Sequence, residues 1–435
     1  MATYCEKFRG AGAAGVPVPS VCETIYSFLG SFVGIAVLGL LQTYVFTPDH
    51  LVLFVPAFGA MAVLLFSAIK LPPSQPFNAI VGNTIGGVVG VLVVKCMEAL
   101  GCSDMLWLCG ALSVSLTIVV QEQTRCQHPP GGATALIFAI ILPVRKQGFM
   151  YIATPAMFGA IAMVLVAVIM NNFSPVRQYP QYWSPDKSQK SYEGLLEVEK
   201  GGSVHELDED GTEPSDAGTS MITEYLTKML GAGGEAAPRS ELKETCYSFL
   251  GSFLGMSVLG LTHTYYLLPV LHLPVEVAAF GAMSVLIFSL PKAPLSQPIN
   301  AILGNTIGGA VGWAVVEIMA VSGQRKFVWL TGALSVALTI AIQERCNVVH
   351  PPGGATALLF AVTAPLQKLG AKFIFAPAFV GAVMLVIVGL ITNNLSPKRS
   401  YPQRWSFSDV PAPKENLPSQ ELAASKGLKN SMTGA

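Results

Sequence analysis

The chain has 435 residues, of which 52% are hydrophobic and only 12% are charged, with 26 basic residues balancing 26 acidic ones. Soluble chains carry about a quarter charged residues, so a soluble globular fold is excluded, and the absence of net positive charge excludes nucleic acid as a partner. The eight cysteines form no Cys-x-x-Cys pair and no regular ladder, which argues against a disulfide framework or a zinc site and for buried thiols.

Residues 1–22 form a short head with no apolar stretch of the kind a cleaved signal needs. Plasma membrane and plastid envelope both stay open as the resident membrane. Apolar runs follow at Ile25–Phe46, Leu51–Ile69, Pro76–Leu100, Met105–Val120 and Ile152–Met170. A helix needs about 20 apolar residues to cross the hydrocarbon layer, and each of these runs approaches that length. Between the last two lies Pro129–Leu142, which is short for a crossing. It is read as a tilted or broken crossing, or as a re-entrant segment.

The second half repeats the first. His350 follows His128 by 350 − 128 = 222 residues, and the same offset relates Gly82–Gly87 to Gly304–Gly309. Near the front, Tyr26–Phe32 recurs as Tyr247–Phe253, at an offset of 247 − 26 = 221. Two modules result, at residues 23–183 and 244–405. A polar linker at 184–243 joins them, and a polar tail at 406–435 is expected to be disordered. Within the linker, Glu206–Asp210 is an acidic solvated run. Ile222–Leu230 is either a short amphipathic helix at the membrane surface or a transient one. The fold class is therefore an all-α polytopic membrane protein with two tandem pseudo-symmetric modules of about six membrane segments each. Internal repeats of this kind are common in transporters.

Topology turns on the short segment. If it crosses, both modules point the same way, and Lys7, Arg9, Lys70, Arg125, Arg177, Lys292, Arg345, Lys398 and Arg399 share the side of the N-terminus. If it only dips in, each module has five crossings and the two are inverted. The charge bias agrees between copies, which favours six crossings and a cytoplasmic N-terminus.

Both copies open the short segment with His-Pro-Pro-Gly-Gly-Ala-Thr-Ala-Leu, at His128–Leu136 and His350–Leu358. Proline suits the first helical turn, whose N–H groups have no partner within the helix. Gly131, Gly132, Gly353 and Gly354 would let an anion reach bare amides at the positive end of the helix dipole. Thr134 and Thr356 would add a hydroxyl one turn further in. The competing reading is that the glycines only permit close helix packing. A similar start recurs at Ser74–Ala79 and Ser296–Ala301, where Gln75, Asn78, Gln297 and Asn300 supply amides. The expectation is two proline-opened starts facing each other in each module, with ordinary N-capping as the alternative for Gln75 and Asn78. Glu122 and Glu344 close the preceding helix. With His128 and His350 they would carry a coupling proton, or else sit in water at the interface while the histidines cap. His50 and His272 read as solvated loop residues, and Lys95 aligns with Glu317, so that position does not keep its charge.

The His-Pro-Pro string with its upstream Gln-Pro-x-Asn stretch resembles the HPP family of integral membrane proteins, which includes plastid and cyanobacterial nitrite transporters. The resemblance covers Glu23–Trp183 and Glu244–Trp405. It implies a fused pair of modules, with further homo-oligomerisation open, and nitrite or a similar small anion as substrate. Arg125 stands three residues before His128 but Arg345 five before His350, so the two sites need not be equivalent. The expected activity is a permease or channel holding a small monovalent anion near the bilayer middle, with lipid as its surroundings and no cofactor. The rivals are a membrane-embedded enzyme using His128 and Glu122, as acid and base or as metal ligands, and an anion-binding sensor.

Overall fold

Hydrocarbon cannot satisfy backbone N–H and C=O groups, so apolar runs must either coil into helices or be buried in protein. The computed structural model describes residues 4, 6–11, 17–185, 217–234 and 236–405. The acidic linker run and the tail at 406–435 lie outside these residues. Helices in the first half are α1 Val21–Leu41, α2 Ala57–Phe66, α3 Pro76–Ala99, α4 Leu106–Gln123, α5 Pro129–Ile140 and α6 Phe158–Asn172. The linker contributes α7 Ala217–Leu230. The second half repeats the set as α8 Leu242–Thr262, α9 Ala279–Ser284, α10 Pro298–Val321, α11 Val328–Arg345, α12 Pro351–Val362 and α13 Val380–Asn393. Among the described residues, seven helical stretches are long and apolar enough to cross a membrane, so the chain is an integral multi-pass protein.

One run departs from expectation. Leu51–Ile69 is not a continuous helix: Leu51–Val55 is extended, and only ten residues coil as α2. At about 1.5 Å per residue α2 is about 15 Å long, half a bilayer. The extended strip survives because Gln42, just past α1, satisfies it. Its Oε1 accepts the N–H groups of Leu53 and Phe54 at 2.6 and 2.9 Å, and its Nε2 donates to the Leu51 carbonyl at 3.0 Å. In the second half His263 Nδ1 takes the N–H of Val275 at 3.1 Å. Each half thus has two short helices rather than one.

The short segments nonetheless traverse the bundle. Phe66, at the end of α2, and Glu23, at the start of α1, both give their carbonyls to Arg177. The strip plus α2 therefore returns to the end where α1 began, here called the head end. Arg145, past the end of α5, donates to Ser103 between α3 and α4 at 3.0 Å, which puts it at the far end. Arg325 and Gln367 repeat that contact at 2.7 Å. Each half makes six passes, and both halves point the same way, since Glu344 at the end of α11 accepts from Ser27 near the start of α1 at 2.7 Å.

The halves are not separate bodies. α1 packs along α11 and α8 along α4, while the short α2 lies on α12 and α9 on α5. Small residues allow this. A side chain at Gly59 would collide with the Gly354 carbonyl, and one at Gly281 with that of Gly132, so backbones of opposite halves touch directly. The linker helix α7 docks on the first half, with Tyr225 Oη donating to the Ile169 carbonyl at 3.1 Å and Met229 accepting from Trp183 Nε1 at 2.9 Å. The cysteines differ from the buried-thiol expectation. Cys109 and Cys126 are buried, but Cys22, Cys96, Cys246 and Cys346 lie on outward helix faces or at helix ends, exposed.

Candidate functional site

The His-Pro-Pro start is built from the chain around it. His128 is extended, Pro129 and Pro130 fill the first two helical positions, and α5 follows. The His128 ring is fully buried, with Nδ1 2.7 Å from the Pro73 carbonyl; His350 Nδ1 lies 2.8 Å from that of Leu295. A carbonyl only accepts, so Nδ1 carries the hydrogen. Nε2 then keeps a lone pair, and in both copies it has no partner. Gln121 closes the start from the side. Its Oε1 accepts the His128 N–H at 3.1 Å, and its Nε2 donates to the carbonyls of Gly82 and His128 at 2.8 and 3.1 Å. Gln343 repeats all three contacts around His350.

The glycines face backbone. The Gly131 N–H already donates to the His128 carbonyl at 2.9 Å, and Gly353 does the same to His350. A side chain at Gly131 would strike the Gly82 carbonyl and the Gln121 amide; one at Gly132 would strike Gly281 of the other half. Gly353 and Gly354 meet Gly304 and Gly59 in the same way. Bare amides open to an anion were expected here, and the structure corrects that: close packing takes the space.

The amide N–H donors are also spoken for, while Asn78 Oδ1 has no partner. Gln75 donates to the Ile69 and Leu71 carbonyls at 2.9 and 3.0 Å and accepts the Gln181 N–H at 2.7 Å, so it folds the turn before α3. Gln297 does this with Pro291, Ala293 and Gln403. Asn78 Nδ2 donates to the Gln127 carbonyl and Asn300 Nδ2 to that of Val349, each at 3.2 Å. Thr134 Oγ1 donates to Asn83 Oδ1 at 2.7 Å and Thr356 to Asn305 at 2.5 Å. The two proline-opened starts do not face each other. α3 and α5 both begin at the head end and run side by side, with Gly82 against Gly131. Six residues separate Pro76 from Gly82, so the His-Pro-Pro start lies about 9 Å below the start of α3.

Glu122 and Glu344 are buried, not in water. Glu122 Oε1 accepts from Ser248 of the other half at 2.7 Å, and Ser248 also accepts from Arg399 at 2.8 Å. Ser27 links Glu344 to Arg177 in the mirrored contact. Burial draws the Arg177 guanidinium below its usual range, against the opposing pull of Glu344 and Glu23. The histidine rings bond elsewhere, so no hydrogen bond joins His128 to Glu122 or His350 to Glu344.

Beside the second start lies a cavity of about 440 Å³. Its floor includes Leu295, Asn300 and Val349, the residues that hold His350 in place. Its walls carry Lys70, Arg177 and Arg404 against Glu23 and Glu344. Of the residues singled out from sequence, Asn300 and Glu344 line it. A smaller, almost wholly apolar cavity of about 150 Å³ sits on the seam between halves, where Leu64 and Leu286 meet, and Asn78 borders it. Sequence reasoning missed Gln121, Asn83, Ser27 and Arg177 as organisers. Their signal was present, since each polar side chain recurs at its repeat position as Gln343, Asn305, Ser248 and Arg399.

Comparison with known proteins agrees with the two-module layout. Residues 16–180 and 237–402 each match the family described as HPP, transmembrane region. One transmembrane protein of Dictyostelium discoideum is 37% identical over 185 residues, covering 42% of this chain and 64% of that protein. A second from the same organism is 39% identical over 181 residues, 41% of this chain and 57% of its own. The chain therefore spans less than two thirds of the length of these curated relatives. No solved structure matches it.

Proposed function

The chain belongs to the family of the HPP transmembrane region, and from that premise we propose that it is a conduit, not an enzyme, for a small monovalent anion, with nitrite as the first candidate. The observation that carries this is the head-end cavity. Lys70, Arg177 and Arg404 line its wall beside Glu23 and Glu344, so an entering anion would meet cationic side chains in low-dielectric surroundings, which raise the local anion concentration. The mixed charge of this wall would hold an anion only weakly, which suits a path whose ligand must also leave.

The substrate contact moves accordingly. Lys70, Arg404 and the amide of Asn347 replace the glycine amides as the groups that would meet the ion. Gly131, Gly132, Gly353 and Gly354 instead serve helix packing. Beyond the cavity, His350 offers an unpartnered Nε2 as the next polar group along α12.

Nitrite uptake by proteoliposomes holding the full chain tests the proposal. Uptake above empty vesicles, falling severalfold in Lys70→Ala and Arg404→Gln, is the expected result. Folded protein without uptake of nitrite, nitrate or chloride would overturn it.

A further inference from the structure

Positions 54 and 276 are repeat partners, since 276 − 54 = 222, yet one is Phe and the other Glu. They occupy the same niche. In the first half, Cβ atoms built at Gly39 and Gly332 would lie 3.3 and 2.8 Å from the Phe54 ring, beside Trp329. In the second half, Cβ atoms at Gly260 and Gly110 would lie 3.1 and 2.8 Å from Glu276 Oε1, beside Trp107. An aromatic ring fills one niche and a carboxyl group the other. Glu276 is 5% exposed, and its Oε1 has no hydrogen-bond partner.

The surroundings offer no compensating charge at that oxygen. From the end of α8, His263 turns Nδ1 to the N–H groups of Val275 and Glu276, at 3.1 and 3.4 Å, so that nitrogen accepts and gives Glu276 Oε1 nothing. From α4, the titratable neighbour is the buried thiol of Cys109, next to Gly110. Arg145, past the end of α5, spends its Nη atoms on the carbonyls of Ser103 and Ala139. From α5 itself, Leu136 and Ile140 close the niche with apolar surface. An ionised carboxylate buried without a partner is strongly disfavoured, and the neutral acid is the form such a place tolerates. Ionisable groups at such depth are kept for function more often than for stability.

We propose that Glu276 is a proton-binding site found in the second half alone, neutral at rest and exchanging its proton with the far end of the bundle. The equilibrium is simply carboxylic acid to carboxylate plus a proton, with no redox partner. Proton binding stands on the niche geometry; the further step, that exchange accompanies anion movement, rests on the transport reading above.

Infrared difference spectra of the purified full chain in lipid nanodiscs, taken across a pH titration, read the proton directly. A protonated-carboxyl C=O band that bleaches reversibly in the wild type and is lost in Glu276→Gln is expected. A wild type without the band, or the same band in the variant, overturns the site whether or not the protein transports anything. Should Glu276→Gln fail to fold, Glu276→Phe, which copies the first half, takes its place. Nitrite uptake under an imposed pH gradient then reads the coupling. The wild-type rate should respond to the gradient and the variant should lose the response while keeping gradient-free uptake; equal responses sink the coupling. Absence of all uptake would strike the transport reading, and the infrared result would still decide the proton site.

Discussion

Most contacts around the two His-Pro-Pro starts recur in both halves, although only Asn300 takes a further hydrogen bond, from Arg404 at 3.3 Å, while other positions have parted. His128 and His350, Gln121 and Gln343, and Gln75 and Gln297 each keep the same type of partners. Elsewhere Phe54 faces Glu276, Gln42 faces His263, Tyr151 faces Phe373 and Tyr182 faces Arg404. The agreement has a mechanical cause. Gly132 seats on Gly281 and Gly354 on Gly59, so each start is one wall of the other half's packing and neither can change alone. The divergent positions carry no such double duty. They are where a fused pair can acquire an asymmetry that two copies of one module could not.

The largest expected effect tests the shared part. In Gly131→Ala and Gly353→Ala the new methyl group meets the Gly82 or Gly304 carbonyl, which is backbone and cannot rotate away. Overpacking typically costs about 1–3 kcal/mol and more where neighbours cannot yield. Both variants should therefore fail to give monodisperse protein by size-exclusion chromatography. If one is tolerated and the other is not, the halves are not equivalent at their starts.

A smaller effect should separate the halves. Arg399 Nε makes a direct ion pair with Glu244 Oε2 at 2.7 Å, and both side chains are largely buried. The matching Arg177 bonds only carbonyls, Ser27 and Asn171, because the Glu23 carboxylate turns instead to cap α1 through Ser20. Removing the guanidinium strands a mostly buried carboxylate, a penalty that the first half does not incur. Arg399→Met should therefore lower the thermal unfolding temperature clearly more than Arg177→Met. Equal shifts would mean that the carboxylate contact adds nothing to the carbonyl clamp both arginines share.

How much of this was legible in sequence divides along the same line. The twofold repeat, the six segments and the proline-opened helices follow from local pattern, which needs only spacing and composition. The break in Leu51–Ile69 does not. Pro56 interrupts the first run, but its repeat partner is Ala278, so proline is not the cause. The cause is a side chain nine or more residues away, Gln42 or His263, and nothing in an apolar run announces it. Cross-half packing is equally silent, because a glycine reads the same whether an anion or another backbone fills the space beside it. The same pattern of glycines therefore fits open amides and closed packing equally.

The smallest effect discriminates those two meanings at Thr134 and Thr356. Each hydroxyl is buried and donates to an asparagine whose own amide holds the carbonyl of Ala156 or Ala378. Thr134→Val and Thr356→Val keep the shape and delete the donor, stranding the Asn83 or Asn305 oxygen. A lost buried hydrogen bond of this kind costs about 1–3 kcal/mol, so both variants should unfold at lower temperature. Nitrite uptake per folded molecule should be unchanged, because the hydroxyl is committed to the scaffold. The opposite pattern, unchanged unfolding with weakened uptake, would mean that the threonine leaves its asparagine to meet the ion. The path would then run along α5 and α12 rather than past Lys70 and Arg404.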